Sequence, residues 1–419
     1  MGTSAILGQY AVAACEHVRV REQRIVMLAY VLPHDAVPHA GGRYVAAVHE
    51  FVSRHHDVML LTADTTVNRR AAQMAGAPRH QLVTVRGPLG WLTTNVDRWW
   101  RRLDPGAPYL PYAVGLLISS AARSALREAD IVDLQWEDSI RLAPLVRQLS
   151  PHARVVGTFH DVQSQSFARE PRRGRWSRVY WRAQTALARR RERRLVRQLD
   201  TALTFSAKDA ALLGSPANLT VVRPPLGAAV AQPSNSGELV TGAGSDGAVV
   251  FVSYLARVEN ARAAAWLLEE IWPLVREQLS TARLRIVGGG ASAHLVAMVD
   301  RVEGAELTGF VASLDEVYAG AGACVVPLRE GAGVKFKVVE ALLHAVPTVT
   351  TTVGAEGIDG PDLFAAVTDD PALMAAALVQ ALTDPTSQLA RWRRAQAWAE
   401  RAFGSDQFED EIASAYGLT

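Results

Sequence analysis

The residues best suited to chemistry lie in one segment, 327–347, which reads PLREGAGVKFKVVEALLHAVP. Gly331 and Gly333 allow the backbone to approach a ligand closely just after a strand. A helix that begins near Phe336 would present unpaired backbone N–H groups and a positive dipole end to that ligand. The segment therefore predicts an anion-binding turn between a strand and a helix.

Lysine is rare in this chain, and its positions add to the prediction. Only three of the 44 basic residues are lysines, Lys208, Lys335 and Lys337, and two of them lie two positions apart. Lys337 falls in the first helical turn, where its mobile ammonium suits a phosphate. Glu340, three residues on, shares that helix face and can accept paired hydrogen bonds from a ribose diol. The alternative is a solvated helix start with ordinary surface charge.

At these residues the segment resembles the Gly-x-Gly-x-Lys-x-Lys-x-x-Glu-Ala…Pro-x-Val-x-Thr signature of family-4 glycosyltransferases, group 1 type. Residues 251–260 (FVSYLARVEN) resemble the strand and turn that open the donor domain of that family. Residues 284–290 (LRIVGGG) resemble its next strand and glycine turn, and residues 307–311 (LTGFV) its nucleobase-reading loop. The resemblance covers about residues 25–415 and is strongest over 248–358.

The resemblance implies the site residues. His160 ends the segment VVGTFH and resembles the strand-end histidine that faces the transferred sugar; outside the family context it would be a polar loop residue. Gly41 and Gly42 resemble the double-glycine loop that closes on the donor phosphate. The implied catalytic residues are His160, Lys337 and Glu340, and the implied donor-binding residues are Gly41, Gly42, Arg257, Gly309, Val311, Glu330, Gly331, Gly333, Lys335, Phe336, Lys337 and Glu340.

The implied activity is retaining transfer of a sugar from a nucleotide-diphosphate sugar to an acceptor in cell-envelope, polysaccharide or natural-product chemistry. A carboxylate nucleophile could also give retention, but the sequence offers no good candidate for it. The resemblance instead implies that the departing phosphate, held by Lys337, Arg257 and the helix start, accepts the acceptor's proton. We expect no metal and no cofactor other than the nucleotide sugar as co-substrate.

Departures from the family pattern leave an alternative open. Many members carry a second glutamate eight positions before the one matched by Glu340, where this chain has Ala332. Glu330 is a substitute if it reaches inward. Tyr254 and Glu259 stand where many members place arginine and lysine for the pyrophosphate. These residues also fit a non-catalytic homologue of the same fold that acts as a partner or nucleotide-binding protein.

A dehydrogenase is the less favoured alternative. Residues 288–293 (GGGASA) follow a strand, open a helix and fit the dinucleotide pattern Gly-x-Gly-x-x-Ala. An NAD(P) site would also need an acidic residue at the end of the next strand for the ribose. Residues 307–310 (LTGF) contain none.

The elements that must position these residues follow from the patterning. The chain has 419 residues, 49% of them hydrophobic, a net charge of +2 and two cysteines, which excludes whole-chain disorder and a disulfide scaffold. Short β-branched runs alternate with amphipathic runs, so we expect an α/β protein of the GT-B type, with two doubly wound Rossmann-like domains facing each other across a cleft. The predicted strands are 24–32, 57–62, 130–135, 154–158, 201–205, 219–222, 248–252, 283–287, 322–327 and 348–352. The predicted helices are 42–53, 140–149, 261–279, 293–302, one from Phe336, 372–382 and 387–403.

Composition sets the expected domain limits. Residues 227–247 are rich in Gly, Ser and Ala, as linkers are. We expect an N-terminal extension (1–24), an acceptor-binding domain (25–226), the linker (227–247), a donor-binding domain (248–395) and a helical segment (396–419) that packs back on the first domain.

A basic segment suggests a partner surface. Residues 169–197 contain twelve arginines and two acids, with Trp176, Val179, Tyr180 and Leu187 at helical spacing. We expect either contact with an anionic membrane surface or phosphorylated acceptor, or a solvated helix packed inward by its aromatic stripe. No nucleic acid is expected. Ala5–Ala14 is short and polar-interrupted for a secretion signal, which favours a cytoplasmic location, or a peripheral one at the inner face of the membrane.

Overall fold

The structure, a computed structural model, describes residues 22–33, 40–74, 76–170, 174–226, 247–311, 313–360, 362–385 and 387–418. The predicted N-terminal extension and linker fall almost entirely outside the described residues. Two parallel sheets dominate the described part of the chain, and each is built from consecutive strand–helix units.

The first sheet has seven strands in the order β3-β2-β1-β4-β5-β6-β7, and all of its pairs are parallel. These strands are β1 (Arg24–Leu28), β2 (Asp57–Ala63), β3 (His80–Val83), β4 (Ile131–Gln135), β5 (Arg154–Phe159), β6 (Thr201–Thr204) and β7 (Leu219–Val221). All five residues of β4 are buried, as expected for a strand covered by helices on both faces.

The helices of the first half connect and cover these strands. They are α1 (Ala40–Ser53), α2 (Thr66–Ala71), α3 (Gly87–Leu103), α4 (Leu110–Ile118), α5 (Ser120–Glu128), α6 (Trp136–Ile140), α7 (Ala143–Leu149), α8 (Gln163–Arg169), α9 (Gly174–Val196) and α10 (Ala207–Leu213). Across the described residues, we find no helix with both the length and the apolar character needed to cross a membrane.

The second sheet has six strands in the order β10-β9-β8-β11-β12-β13, again all parallel. The strands are β8 (Ala248–Val252), β9 (Leu284–Val287), β10 (Ala305–Gly309), β11 (Ala321–Val326), β12 (Thr348–Thr350) and β13 (Ala366–Val367). The helices are α11 (Val258–Trp266), a π-helical turn (Leu267–Ile271), α12 (Trp272–Gln278), α13 (Ala293–Val299), α14 (Asp315–Ala319), α15 (Phe336–Leu343), α16 (Pro371–Thr383), α17 (Leu389–Ala402) and α18 (Ser405–Tyr416).

The last two helices return the chain to the first sheet. Helix α17 packs on α15 of the second half, whereas α18 packs against β5 and β6 of the first. Arg154 Nε donates to the carbonyl oxygen of Ala415 at 3.2 Å, and Arg54 pairs with Glu409 at 2.7 Å. These bonds tie the C-terminal end of the chain to the first sheet.

Most predicted strands and helices are present, with some differences. The predicted helix 140–149 is two helices, α6 and α7, and the predicted helix 261–279 begins at Val258 and contains the π-helical turn. Three short strands were not predicted, β3, β10 and β13. Strand β10 alternates half-buried and exposed residues because it is the edge of its sheet, so it lacks the continuous apolar run of a central strand.

Helix α9 does not pack by its aromatic stripe. Trp176 is 83% exposed, Val179 54% and Leu187 55%. The buried residues are instead Gln184, Thr185, Ala188, Glu192, Leu195 and Val196. The expectation of an inward-packed stripe is therefore wrong. Periodicity identified the apolar face of the helix but not the direction in which that face points.

Candidate functional site

A cavity of about 700 Å³ separates the carboxyl ends of the two sheets. In open α/β sheets this is where ligands bind. Ten of the thirteen predicted site residues line it: Gly41, His160, Arg257, Val311, Glu330, Gly331, Lys335, Phe336, Lys337 and Glu340. The remaining three, Gly42, Gly309 and Gly333, are not among its lining residues.

Lys337 stands in the first turn of α15, as the spacing predicted. Its Nζ donates to Ser253 Oγ at 2.5 Å and to Asn260 Oδ1 at 3.0 Å, and it lies 5.5 Å from the ring centroid of Phe251. Burial lowers the pKa of Lys337 to about 7, and the positive charges of Lys335 and Arg257 act in the same direction. An anion in the cavity would reverse this effect, so the ammonium is placed to gain from binding one.

Lys335 has a different task from Lys337. Its Nζ donates to the carbonyl oxygens of Ala332 at 2.9 Å and Gly333 at 2.6 Å, so it fastens the glycine turn ahead of α15. Burial lowers its pKa to about 8, while the negative charge of Asp161 opposes that shift. Lys335, which was predicted to bind the donor, thus stabilises the glycine turn through these two hydrogen bonds.

The glycine turn touches the first domain directly. Gly333 has φ +70°, and a Cβ there would lie 2.4 Å from Asp161 Oδ1, so only glycine fits. Burial raises the pKa of Asp161 to about 6, and Lys335 opposes this shift. This contact places the turn against the end of β5.

Glu340 receives a bond from the opposite wall of the cavity. Arg43 Nη2, on α1, donates to Glu340 Oε1 at 2.6 Å, and the Glu340 side chain is only 13% exposed. Gly41 and Gly42 lie in the first turn of α1. The predicted double-glycine loop is therefore a helix start at these two residues, and residues 34–39 before it lie outside the described residues.

His160 lies in an aromatic cage at the end of β5. Its ring stacks on Trp136 with centroids 4.4 Å apart and meets Tyr44 and Phe205 edge to face at 5.2 and 5.1 Å. Nε2 is 2.8 Å from Gln135 Oε1, which fixes the ring. A Cβ at Gly41 would lie 2.9 Å from His160 Nδ1, so the cage requires the small residue on α1.

The strand ends of the second sheet form the far wall. At Gly288 a Cβ would lie 1.8 Å from the carbonyl oxygen of Ser253, and φ is +140°, so this turn needs glycine for packing. Gly309 has φ +75° and its carbonyl accepts from Gly288 N at 2.8 Å. The two turns bring Phe310, 82% exposed, and the half-buried Val311 to the cavity.

The residues at which the sequence departs from the family pattern are placed as follows. Glu330 lines the cavity but pairs with Arg262 at 2.7 Å. Arg257 occupies the N-cap position of α11; its side chain is 62% exposed and lies 3.7 Å from Glu259. Tyr254 is 50% exposed at the cavity wall. Arg257 and Tyr254 thus both line the cavity.

A second pairing joins the two domains at the cavity rim. Arg169, at the end of α8, forms two bonds with the Glu356 carboxylate, and its Nη1 also donates to the carbonyl oxygen of Gly331 at 2.5 Å. Lys208 adds a bond to Glu356 at 2.7 Å. All three lysines of the chain therefore bond at or beside the cleft.

Sequence reasoning missed several of the residues that build the site. Ser253 and Asn260 lie inside a segment that resembles the family, but the sequence does not show that they are within hydrogen-bond distance of Lys337. Trp136 carries a weaker signal, since it follows a buried strand, but its left-handed backbone, φ +65°, cannot be read from the sequence. In the part of the chain that the structure describes, no group of three or more His, Cys, Asp or Glu residues is placed to hold a metal ion.

Comparison with known proteins agrees with this arrangement. The family model for Glycosyl transferases group 1 matches residues 247–384, the part of the chain that contains Lys337 and Glu340. An uncharacterised 44.6 kDa protein in the cps region of Klebsiella pneumoniae is 28% identical over 116 residues. That match covers 26% of this chain and 30% of the relative, under a third of either length.

Solved structures share the whole architecture at low identity. HepE from Anabaena in complex with UDP-glucose has a TM-score of 0.67 at 13% identity, covering 95% of this chain and 100% of that one. Sucrose-phosphate synthase from Thermosynechococcus elongatus has a TM-score of 0.70 at 14% identity, covering 94% and 98%. WaaG, a glycosyltransferase involved in lipopolysaccharide biosynthesis, has a TM-score of 0.61 at 16% identity, covering 94% and 100%. The predicted GT-B fold is confirmed.

Proposed function

We propose that this chain transfers a sugar from a nucleotide-diphosphate sugar to an acceptor with retention of configuration, as family-4 glycosyltransferases do. The observation that carries the proposal is the position of Lys337, whose ammonium is held at the start of α15 in a cavity between two domains. A lysine with a lowered pKa beside an open helix start suits the diphosphate of a donor. The group 1 match over residues 247–384 supports the same conclusion.

The donor has a natural orientation in this cavity. Its diphosphate would lie between Lys337, Arg257 and the start of α15, and its ribose would meet Glu340. Its base would then reach the turn 309–311 at the end of β10. The diphosphate, the ribose and the base would then each contact a different part of the second domain. The sugar would face His160 across the cleft.

The reaction that this arrangement favours occurs on one face of the sugar. The bond from the anomeric carbon to the phosphate oxygen breaks, and the acceptor oxygen forms a bond to the same face. The leaving phosphate takes the acceptor's proton. Lys337, Arg257 and the helix dipole stabilise the charge that develops on the diphosphate, so no cofactor beyond the co-substrate is invoked. His160, fixed by Gln135, would contact the sugar.

An acceptor site adjoins the donor cavity. A second pocket of about 420 Å³ is lined by Tyr30, Trp136, Glu137 and Asp138, among others, and shares Trp136, Asp161, Ser166, Tyr254 and Arg257 with the first. An aromatic ring next to acidic side chains suits a sugar, which stacks by its apolar face and forms hydrogen bonds with its hydroxyls. We propose a carbohydrate acceptor of the cell envelope or a polysaccharide, handled in the cytoplasm. The cps-region relative and the WaaG likeness support this acceptor class.

The test has two stages. A thermal-shift panel of nucleoside diphosphates and their sugars identifies the donor, because only a matching ligand stabilises the cleft; UDP-sugars come first. With that donor and an acceptor, Lys337→Ala is expected to lower kcat about 100- to 1000-fold, while the matched control Arg301→Ala, at an exposed position, leaves it unchanged. NMR of the product is expected to show the donor's anomeric configuration.

Two outcomes would contradict the proposal. Equal turnover by wild type and Lys337→Ala would show that the site is elsewhere. Tight nucleotide binding without transfer to any acceptor of a broad panel would favour the non-catalytic alternative that Ala332, Tyr254 and Glu259 suggested.

A further inference from the structure

Helix α3 carries its apolar stripe outward. Six of its large apolar residues recur at three- and four-residue spacing, which places them on one face of the helix. Each of the six is between 41 and 73% exposed: Leu89, Leu92, Val96, Trp99, Trp100 and Leu103. Trp91, which is 71% exposed, lies off this face. The residues that α3 buries are Gly90, Thr93 and Asp97. The helix therefore turns its polar side to the protein and its apolar side to the surroundings, the reverse of an ordinary surface helix.

Helix α9 also presents large apolar side chains outward, since Trp176, Val179 and Leu187 are more than half exposed. Its buried side is mixed and carries Gln184, Thr185 and Glu192 beside Ala188, Leu195 and Val196. Glu192 Oε1 accepts from the backbone N–H of Ser164 at 2.8 Å, so one oxygen of this buried carboxyl is hydrogen-bonded by the neighbouring turn. Two helices of one domain thus carry large apolar side chains on their outer sides.

The two helices contact each other. Tyr180 Oη donates to the carbonyl oxygen of Arg102 at 3.0 Å, and Gln184 Nε2 donates to that of Leu103 at 2.7 Å, so the end of α3 rests on the middle of α9. Helix α4, which packs on α3, adds exposed Leu117 and Ile118. We call the outward side chains of α3, α4 and α9 the aromatic-basic face.

The charge on this face has one sign. Its exposed arginines are Arg98, Arg102, Arg175, Arg178, Arg182, Arg189, Arg190, Arg193 and Arg194. The structure describes every residue of these three helices, and their only acids are Asp97 and Glu192, both buried. Asp97 is also paired with Arg101 at 3.0 Å. The three helices therefore expose arginines but no acidic side chain.

We propose that the aromatic-basic face binds the surface of an anionic lipid bilayer. Tryptophan is enriched at the interface between lipid and water, and arginines next to an apolar stripe are typical of helices that lie in that interface. A second copy of this chain is a poorer occupant, because a symmetric pairing would bring the two arginine clusters together without acids between them. This binding is independent of the proposed sugar transfer.

The face also has a useful position relative to the cleft. Arg169 and Glu170, which line the cavity, come just before α9 in the chain. A chain docked by α3 and α9 would thus hold the cleft close to the lipid surface.

Vesicle co-sedimentation of the full chain tests the proposal. We expect binding to phosphatidylcholine vesicles that contain phosphatidylglycerol, weaker binding in high salt, and little binding to phosphatidylcholine alone. Arg189→Gln with Arg190→Gln is expected to weaken binding to the anionic vesicles up to about 30-fold at low salt. The matched control, Arg301→Gln with Arg401→Gln, removes two exposed arginines from the second half and is expected to have no effect.

The apolar stripe is tested separately. Trp99→Ser with Trp176→Ser is expected to weaken vesicle binding in high salt as well, whereas Leu373→Ser, a 59% exposed position on α16, is not. An unchanged thermal midpoint shows that each variant is folded. Failure of the wild type to bind anionic vesicles, or equal binding by wild type and both double variants, overturns the proposal. A dimer that the tryptophan substitutions dissociate, without vesicle binding, assigns the face to a second copy instead.

Discussion

Arg43 of α1 donates a hydrogen bond at 2.6 Å to Glu340 of α15, although 297 positions separate the two residues in the chain. The bond spans the cleft and holds the carboxylate that we propose for the donor ribose. A ribose diol would bond to the same carboxylate oxygens, so the ribose and Arg43 would compete for Glu340. The Glu340 carboxylate therefore links nucleotide binding to the relation between the two domains.

Glu340→Gln is expected to weaken nucleoside diphosphate binding about 10- to 100-fold, because the amide no longer offers the charge-assisted bonds that a carboxylate gives to hydroxyls. Calorimetry with the nucleotide identified by thermal shift measures this change. Arg43→Gln is the companion variant. It frees Glu340 without altering it, so nucleotide affinity is expected to be retained or improved. Equal losses in both variants would mean that the pair only supports the fold.

The pH dependence of donor use follows from Lys337. Burial lowers its pKa to about 7, so below that pH the free protein carries the ammonium that a diphosphate needs, and above it the charge is lost. We expect kcat/KM for the donor to fall as pH rises through about 7. The value of kcat at saturating donor is expected to fall only at higher pH, because the bound diphosphate raises the pKa of the lysine. Flat kcat/KM between pH 6 and about 9 would contradict this role.

Much of the donor site was predictable because it is local in sequence. A strand, two glycines, a helix start and the spacing from Lys337 to Glu340 all lie within one segment, where backbone geometry fixes which side chains share a face. The alternation of strands and helices likewise predicted two parallel sheets, but it did not predict short strands such as β3 and β10 or the helices α3, α4 and α5.

The contacts across the cleft could not be predicted from the sequence. Glu356 pairs with Arg169, which is 187 positions away in the chain. In the sequence, neither residue can be distinguished from an ordinary charged surface residue. The outward direction of Trp176 escaped for a related reason, since a helical period defines a face and not what lies opposite it. Tertiary packing alone decides both.

Gly333→Ala tests the contact between the glycine turn and the first domain. The new Cβ would lie 2.4 Å from Asp161 Oδ1, so the turn or the end of β5 must move. We expect donor affinity and thermal midpoint both to fall. Gly331→Ala is the matched control, because its φ is also positive, +104°, while its Cβ would meet only the Lys335 side chain at 3.8 Å. Adding Asp161→Ala is expected to restore part of the loss in the Gly333 variant alone.

The last prediction concerns Glu356, which joins Arg169 and Lys208 of the first domain to the second. Burial tends to raise the pKa of this carboxyl, but the bonds from Arg169 and Lys208 prevail and hold it below its ordinary value. A depressed pKa means that the stabilisation is present above the unfolded pKa, near 4.5, and is lost as pH falls through the lower folded value. Glu356→Gln is expected to lower the free energy of unfolding by about 1.5–3 kcal/mol and to lower the thermal midpoint at pH 7. The decline of the midpoint in acid is expected to be flatter than in the wild type.

Glu303→Gln, which breaks an exposed pair with Arg276 inside the second domain, is the matched control and is expected to change the midpoint little. Scattering at pH 7 is expected to show a larger radius of gyration for the Glu356 variant only. Identical midpoints and radii in both variants would show that the Glu356 pairs do not hold the domains together.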